Sequence, residues 1–435
     1  MDTIAFRIRL NSFPHFDFAD SAKIEIVLTN ETIPYMILNI AILLTVVVVA
    51  FLLLQPRLRT IPAWMAMTTP LASIIGSGFL VLGPILDSAY GAYAPLAMAA
   101  LCIGAYAFGS AIRYNMRVFE TGAPEPRPVV LLDRLGSWTL GFAYVISVAY
   151  YLNLFGAFAV SLTPLADPFS ARMVTTAVFV LIVLVGWSGG FKSLEWMEYF
   201  SVTTKLAIIS GLLVGLALYF HARATDNGLI FNQPSMSGWG AVTLGFGLIV
   251  TVQGFETSRY LGNTYDLKTR LKSMRWAQWL SSAIYLLYIL LMAYVFERGQ
   301  LKTTETAIVD MMGLVAPILS VLLVAAALAA QFSAAVADTS GSGGLVWQLS
   351  GKRISPRIAY AILAAIGIGI TWIADVFEII AYASRAFALY YTMEAGLAAL
   401  NAWRQEERAK AVPFALLAVL GVAIVFLGQP FESGG

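Results

Sequence analysis

Apolar stretches alternate with short charged segments along nearly the whole chain. About 20 apolar residues suffice for a helix to cross a bilayer. Twelve stretches qualify: 34–54, 62–86, 92–117, 134–163, 171–189, 194–220, 238–262, 274–297, 307–337, 357–374, 375–400 and 412–428. The run at 357–400 divides near Asp375, and the run at 307–337 extends further, since Gly341 to Leu349 stays mostly apolar. Residues 1–33 carry charges throughout (Asp2, Arg7, Arg9, Asp17, Asp20, Lys23, Glu25, Glu31) and lack the compact apolar core of a signal peptide. Their Ile-Val-Leu pieces suit a short amphipathic segment at the membrane surface.

Two of the runs are interrupted where an unbroken helix would be cheaper. Ser73-Ile74-Ile75-Gly76-Ser77-Gly78-Phe79 places two glycines one residue apart, and Gln253-Gly254-Phe255-Glu256 breaks the run at 238–262. Unpaired backbone groups cannot face lipid, so such breaks survive only where they line a protein-enclosed cavity. At Gly76, Ser77 and Gly78 successive N–H groups at a half-helix N-terminus suit a substrate carboxylate. The alternative is close helix packing by small residues, but their spacing of two rather than four favours a break.

The helix at 34–54 has neither glycine nor charge and fits a peripheral, lipid-facing place. Of the remaining eleven, ten form two groups of five, with breaks at Ser77 and Gly254 lying 177 residues apart. Five is odd, so the second group enters the membrane inverted, as in transporters built from inverted repeats. The expected organisation is a surface segment (1–33), a peripheral helix (34–54), a first repeat (60–220), a second repeat (236–400) and a C-terminal helix with its tail (401–435).

Composition narrows the function classes. The chain is 59% hydrophobic and 12% charged, whereas soluble domains carry about 25% charged residues. This implies an all-α integral membrane protein. A net charge of +2 without a basic cluster gives no nucleic-acid footprint. The single Cys102 and the two histidines, His15 and His221, leave no metal-ligating set within the apolar runs. A phosphate-cradling glycine loop followed by Lys-Ser or Lys-Thr is also lacking, so ATP drive, a cofactor and enzymatic chemistry are all disfavoured. Seventeen Lys and Arg fall in one set of connections and seven in the other, which makes the richer side cytoplasmic and puts both termini outside.

Ile75-Gly76-Ser77-Gly78-Phe79 resembles the Gly-Ser-Gly-Ile-Phe signature of the first helix in amino acid–polyamine–organocation (APC) transporters. Gly254-Phe255-Glu256 resembles the Gly-Phe-Glu of their sixth core helix. Ser201-Val202-Thr203-Thr204-Lys205-Leu206 resembles the fifth-helix stretch that carries one buried lysine. Ser333 to Gly344, followed by Lys352-Arg353-Ile354-Ser355-Pro356, is similar to the eighth helix and its basic exit. The likeness covers roughly 60–400; Pro84 falls one residue late, and Gly262-Asn263 stands where the family often has an acidic pair. The resemblance implies a LeuT-like 5+5 inverted repeat of about twelve helices, with one extra helix at each end. It also implies alternating access in the cell membrane and a small-molecule substrate, an amino acid or amine. In that reading carbonyls around Ile74, Ile75, Gln253 and Gly254 accept its ammonium.

Lys205 at membrane depth either serves a cavity or snorkels to the interface. By the resemblance its ammonium stands where sodium-coupled relatives hold their ion, and desolvation there could let it pass a proton. Ala335-x-x-Asp338-Thr339 matches the spacing of that sodium site, so Asp338 either binds sodium, pairs with Lys205, or simply faces water. Glu256 and Arg259 lie three apart and either neutralise each other or leave Glu256 to read a polar substrate or carry a proton. Arg385 is expected to pair with Glu378 or Glu394, or to meet an anionic substrate group. Tyr150, Tyr151 and Asn153 line the pocket or serve ordinary packing. The leading expectation is proton-coupled or exchange transport of an amino acid or amine. Its rivals are a sodium-coupled symporter of another small solute and a non-transporting sensor or subunit.

Overall fold

The structure is a computed structural model describing residues 4–6, 26–28, 32–76, 78–120, 126–188, 192–298 and 304–431. Ser77 therefore lies outside the described residues. Two short strands, β1 (Ile4–Phe6) and β2 (Ile26–Leu28), pair antiparallel within the expected surface segment. Everything else regular among the described residues is helical.

The helices run α1 (Thr32–Leu53), α2 (Pro56–Arg59), α3 (Pro62–Ile74), α4 (Gly78–Tyr90), α5 (Ala94–Glu120), α6 (Arg127–Val160), α7 (Pro168–Ser188) and α8 (Lys192–Thr225). They continue as α9 (Gly238–Gly247), α10 (Leu267–Met292), α11 (Ala307–Val315), α12 (Pro317–Leu349), α13 (Pro356–Ile373), α14 (Val376–Arg404) and α15 (Arg408–Leu427). Short 3₁₀ helices at Gly91–Tyr93, Ile249–Val252 and Phe255–Asn263 complete the chain.

Local chemistry explains several boundaries. Proline opens α3, α6, α12 and α13 in the first turn, where its missing N–H costs nothing. The division near Asp375 is a capping box: Asp375 accepts from the Glu378 N–H at 2.9 Å, and Glu378 accepts from the Asp375 N–H at 3.1 Å. The helix expected over 307–337 is instead two. Ala316, before Pro317, is extended at φ −159°, ψ 129°, because the proline ring disfavours helical backbone in the residue it follows. From Pro317 the helix then runs unbroken to Leu349, as the apolar continuation suggested.

Eight helical stretches among the described residues are long and apolar enough to cross a membrane alone. The two interrupted runs fall short in part because their breaks leave pieces such as α3, of 13 residues, and α9, of 10. The helix α1 exposes Ile40, Leu44, Val47 and Phe51. Its other side lies on α8 at two glycines four apart, where a Cβ on Gly211 would come within 2.6 Å of Val46 and one on Gly215 within 3.0 Å of Ile42. At the centre α6 packs along α12 and α14. Tyr144 meets Gly341, Ser147 meets Asp338 and Phe155 meets Phe332, so α6 and α12 run antiparallel.

Candidate functional site

The two interruptions exist and touch each other. The first runs from Ile74, the last residue of α3, through Ile75 (φ −83°, ψ 58°) and Gly76 to the start of α4 at Gly78. The second follows the 3₁₀ turn Ile249–Val252 and pivots on Gly254 at φ 115°, a backbone conformation that side chains rarely tolerate. A Cβ on Gly254 would lie 2.5 Å from Ser73 Cβ and 2.7 Å from the Ile74 nitrogen. Reciprocally, a Cβ on Gly78 would lie 2.7 Å from Thr251 Cα. The missing side chains thus let one unwound backbone lie directly against the other.

Unwinding strands carbonyls that lipid cannot satisfy. Two buried side chains, Lys205 and Tyr285, serve these groups. The Lys205 ammonium, 1% exposed, donates to the Ala72 carbonyl at 2.6 Å, in the last turn of α3. Tyr285 on α10 places one hydroxyl 3.0 Å from the Ile74 carbonyl and 2.7 Å from the Thr251 carbonyl, so a single proton serves both breaks. Gln253 donates through Nε2 to the Tyr151 hydroxyl at 2.9 Å, and Tyr151 also lies 3.7 Å from where a Gly76 Cβ would be. Lys205, then, is not snorkelling; it reaches the first break.

Glu256 is fully buried and turns back on its own break. Its Oε2 accepts from the Gly254 N–H at 3.0 Å and from the Tyr391 hydroxyl at 3.0 Å, while Oε1 is buried without a partner among the described residues. The expected Glu256–Arg259 neutralisation is therefore replaced. Arg259 instead forks between Asp133 at the start of α6 and Glu394 on α14. Asn115 of α5 donates to Glu394 Oε2 at 2.9 Å. Behind Arg259, Arg270 donates to its carbonyl and to Glu120, each at 3.0 Å. This network ties the 3₁₀ segment Phe255–Asn263 to α5, α6, α10 and α14. In the loop before α10, Thr269 binds the Asp266 carboxylate through its hydroxyl and N–H, and holds it below the usual range.

Other expected residues are placed differently. Asp338 is buried and accepts from Ser147 on α6, while Thr339 donates to the Ala335 carbonyl within α12. Tyr150 is buried with its ring 5.2 Å from that of Tyr151. Asn153 faces away from the breaks, donating to Thr371 on α13 and to the Ala149 carbonyl, each at 2.8 Å. Phe255 is fully buried and stacks on Tyr391 at 5.2 Å. Arg385 meets neither Glu378, which caps α14, nor Glu394. It donates twice to the Gly428 carbonyl, at 3.1 and 2.6 Å, and so caps the end of α15. Beside the breaks, Ile74, Cys102, Ala105, Val252, Gln278 and Tyr285 line a cavity of about 10 Å³, room for one water.

Residues 56–428 match the family of APC superfamily transporters. An uncharacterized protein of Aquifex aeolicus (strain VF5) is 39% identical over 388 residues, covering 87% of this chain and 94% of that protein. Among solved structures, a Na⁺-coupled sialic acid symporter in its substrate-bound outward-open state aligns over 93% of this chain and 99% of its own, at 12% identity and a TM-score of 0.49. The chain belongs to the APC superfamily: it is a multi-pass membrane carrier of the secondary-active, alternating-access type, and not an enzyme.

Proposed function

We propose that the protein moves an amino acid or related amine across the cell membrane, and that Lys205 couples this movement to a proton or to exchange. The supporting observation is the 2.6 Å contact between the Lys205 ammonium and the Ala72 carbonyl. The C-terminal end of α3 is the negative end of a half-helix dipole, and a cation there is favoured. Lysine supplies that cation from the protein itself. Loss of its proton would weaken its hold on α3, which gives protonation a direct mechanical consequence. A substrate ammonium would take the Ile74 carbonyl from Tyr285, and its carboxylate would meet the N–H groups opening α4 near Gly76 and Gly78. Access from the cytoplasm then requires Arg259 to release Asp133 and Glu394, so that the sixth-helix inner half can move against α6 and α14.

A second reading is sodium symport of another small solute. Asp338, Thr339 and Ser147 gather hard oxygens on α12 and α6, the donor type a sodium ion takes. Uptake into proteoliposomes under separately imposed proton and sodium gradients distinguishes the readings. Proton-driven or exchange flux of an amino acid or amine, indifferent to sodium, supports the first. Strict sodium dependence supports the second. Absence of any flux refutes both.

A further inference from the structure

The inner face of α12 carries Leu323, Ala327, Gln331, Ala334, Asp338 and Ser342, all buried. Gln331 is fully buried, and among the described residues neither its amide oxygen nor its amide nitrogen has a hydrogen-bond partner. A primary amide offers an acceptor and two donors, and leaving both ends unmet inside a membrane protein is costly. A leucine would fill the same space without that penalty. Such an amide is retained for a ligand or for nothing at all.

Its depth follows from the pairing of α6 with α12. Tyr144 meets Gly341, Ser147 meets Asp338 and Phe155 meets Phe332. Gln331 is therefore level with Leu154 and Phe155, about one helical turn from Tyr151, or roughly 5 Å along the axis. Tyr151, like Tyr285, touches both breaks. The helix α12 also contacts α3 directly. A solute gripped at its backbone end by the breaks would thus extend its side chain toward Gln331.

We propose that Gln331 is the specificity determinant of the carrier and reads a neutral polar side-chain group, a carboxamide or hydroxyl, that can both donate and accept. This rests on the transport reading above and names the side-chain class of its substrate. An aliphatic side chain leaves the amide unmet; a polar one completes it, so the site favours the polar solute. Asp338, two turns along the same face, is already engaged by Ser147, whereas both ends of the Gln331 amide are unmet among the described residues.

The test is uptake by proteoliposomes of the full chain, backed by ligand-induced thermal stabilisation in detergent. Matched pairs serve as probes: glutamine against norleucine, asparagine against leucine, serine against alanine. The variant Gln331→Leu preserves volume and is expected to fold; Gln331→Glu keeps an acceptor. The wild type should prefer the polar member, and Gln331→Leu should reduce that preference by about tenfold or more, chiefly through KM for the polar solute. Gln331→Glu should retain part of it. If Gln331→Leu keeps the wild-type preference, Gln331 serves packing or a structural water, and the proposal falls while transport stands. If no probe is carried or stabilises the wild type, the amino acid reading falls and the proposal with it.

Discussion

The Lys205 ammonium lies 2.6 Å from the carbonyl of Ala72, a residue 133 positions earlier in the chain. The contact joins α8 to the unwound end of α3, and makes the charge of one side chain a condition for where α3 sits. Removing it should separate binding from coupling. Lys205→Met should lower gradient-driven uptake by about tenfold or more, consistent with loss of a charged hydrogen bond of about 1.5–3 kcal/mol. Exchange at zero gradient should survive better. Lys205→Arg should not restore coupling, because guanidinium does not release its proton. Uptake with and without an imposed pH gradient measures both.

The crossing of the breaks predicts a sharp glycine dependence. Gly254→Ala adds a Cβ 2.5 Å from Ser73 at φ 115°, so it should cost about 1–3 kcal/mol in backbone strain alone and abolish transport. Gly344 on α12 is the internal control, since nothing lies within 4 Å of its missing Cβ. Gly344→Ala should leave both melting temperature and flux near wild type. Thermal unfolding in detergent, read beside uptake, checks the pair.

Much of this was legible in the sequence, and the limits are physical. Glycines one residue apart in an apolar run have few uses other than a break, so the position around Gly76 could be read directly, and the polar Gln253 and Glu256 around Gly254 marked the second. Lysine at membrane depth is similarly costly, which marked Lys205. Partners across the fold were not legible. Glu256 and Arg259 lie three apart, yet Glu256 turns back to the Gly254 N–H left open by the break while Arg259 reaches Asp133 and Glu394. Arg385 reads in the sequence as pairing with Glu378 or Glu394 or as meeting an anionic substrate group, and it binds a helix-terminal carbonyl, since a C=O at Gly428 leaves no mark on the sequence. Tyr285, the hydroxyl shared by both breaks, looked like any tyrosine in an aromatic-rich chain. Asn153 sat one turn from Tyr150 by spacing, but the rotation of α6 sends it to α13.

The Arg259 fork should behave as an inner gate. Arg259→Gln leaves Glu394, whose side chain is 2% exposed, without its cation, and breaking such a buried pair costs about 3–5 kcal/mol. Asp133 is 35% exposed and should suffer less. The double variant Arg259→Gln with Glu394→Gln should recover much of the lost stability, because no buried charge is left over. It should still favour the inward-open state. Cysteine labelling from the cytoplasmic side near the breaks should rise in both variants, and unchanged labelling would count against a gate.

Asp338 separates the two coupling readings. It is buried, with Ser147 donating to it from α6. If sodium is the coupling ion, Asp338→Asn removes the one charge in that oxygen set and should abolish sodium-dependent uptake, whereas Lys205→Met should be tolerated. If lysine stands in the cation's place, the order reverses: Lys205→Met uncouples, and Asp338→Asn, which still accepts from Ser147, keeps most of its flux. Ser147→Ala sharpens the comparison. It deletes the hydroxyl held between α6 and α12, so it should weaken sodium affinity in the first case and cost only about 1 kcal/mol of stability in the second. Sodium titration of uptake by the three variants, set against the same series under a proton gradient, places the coupling on one helix pair or the other.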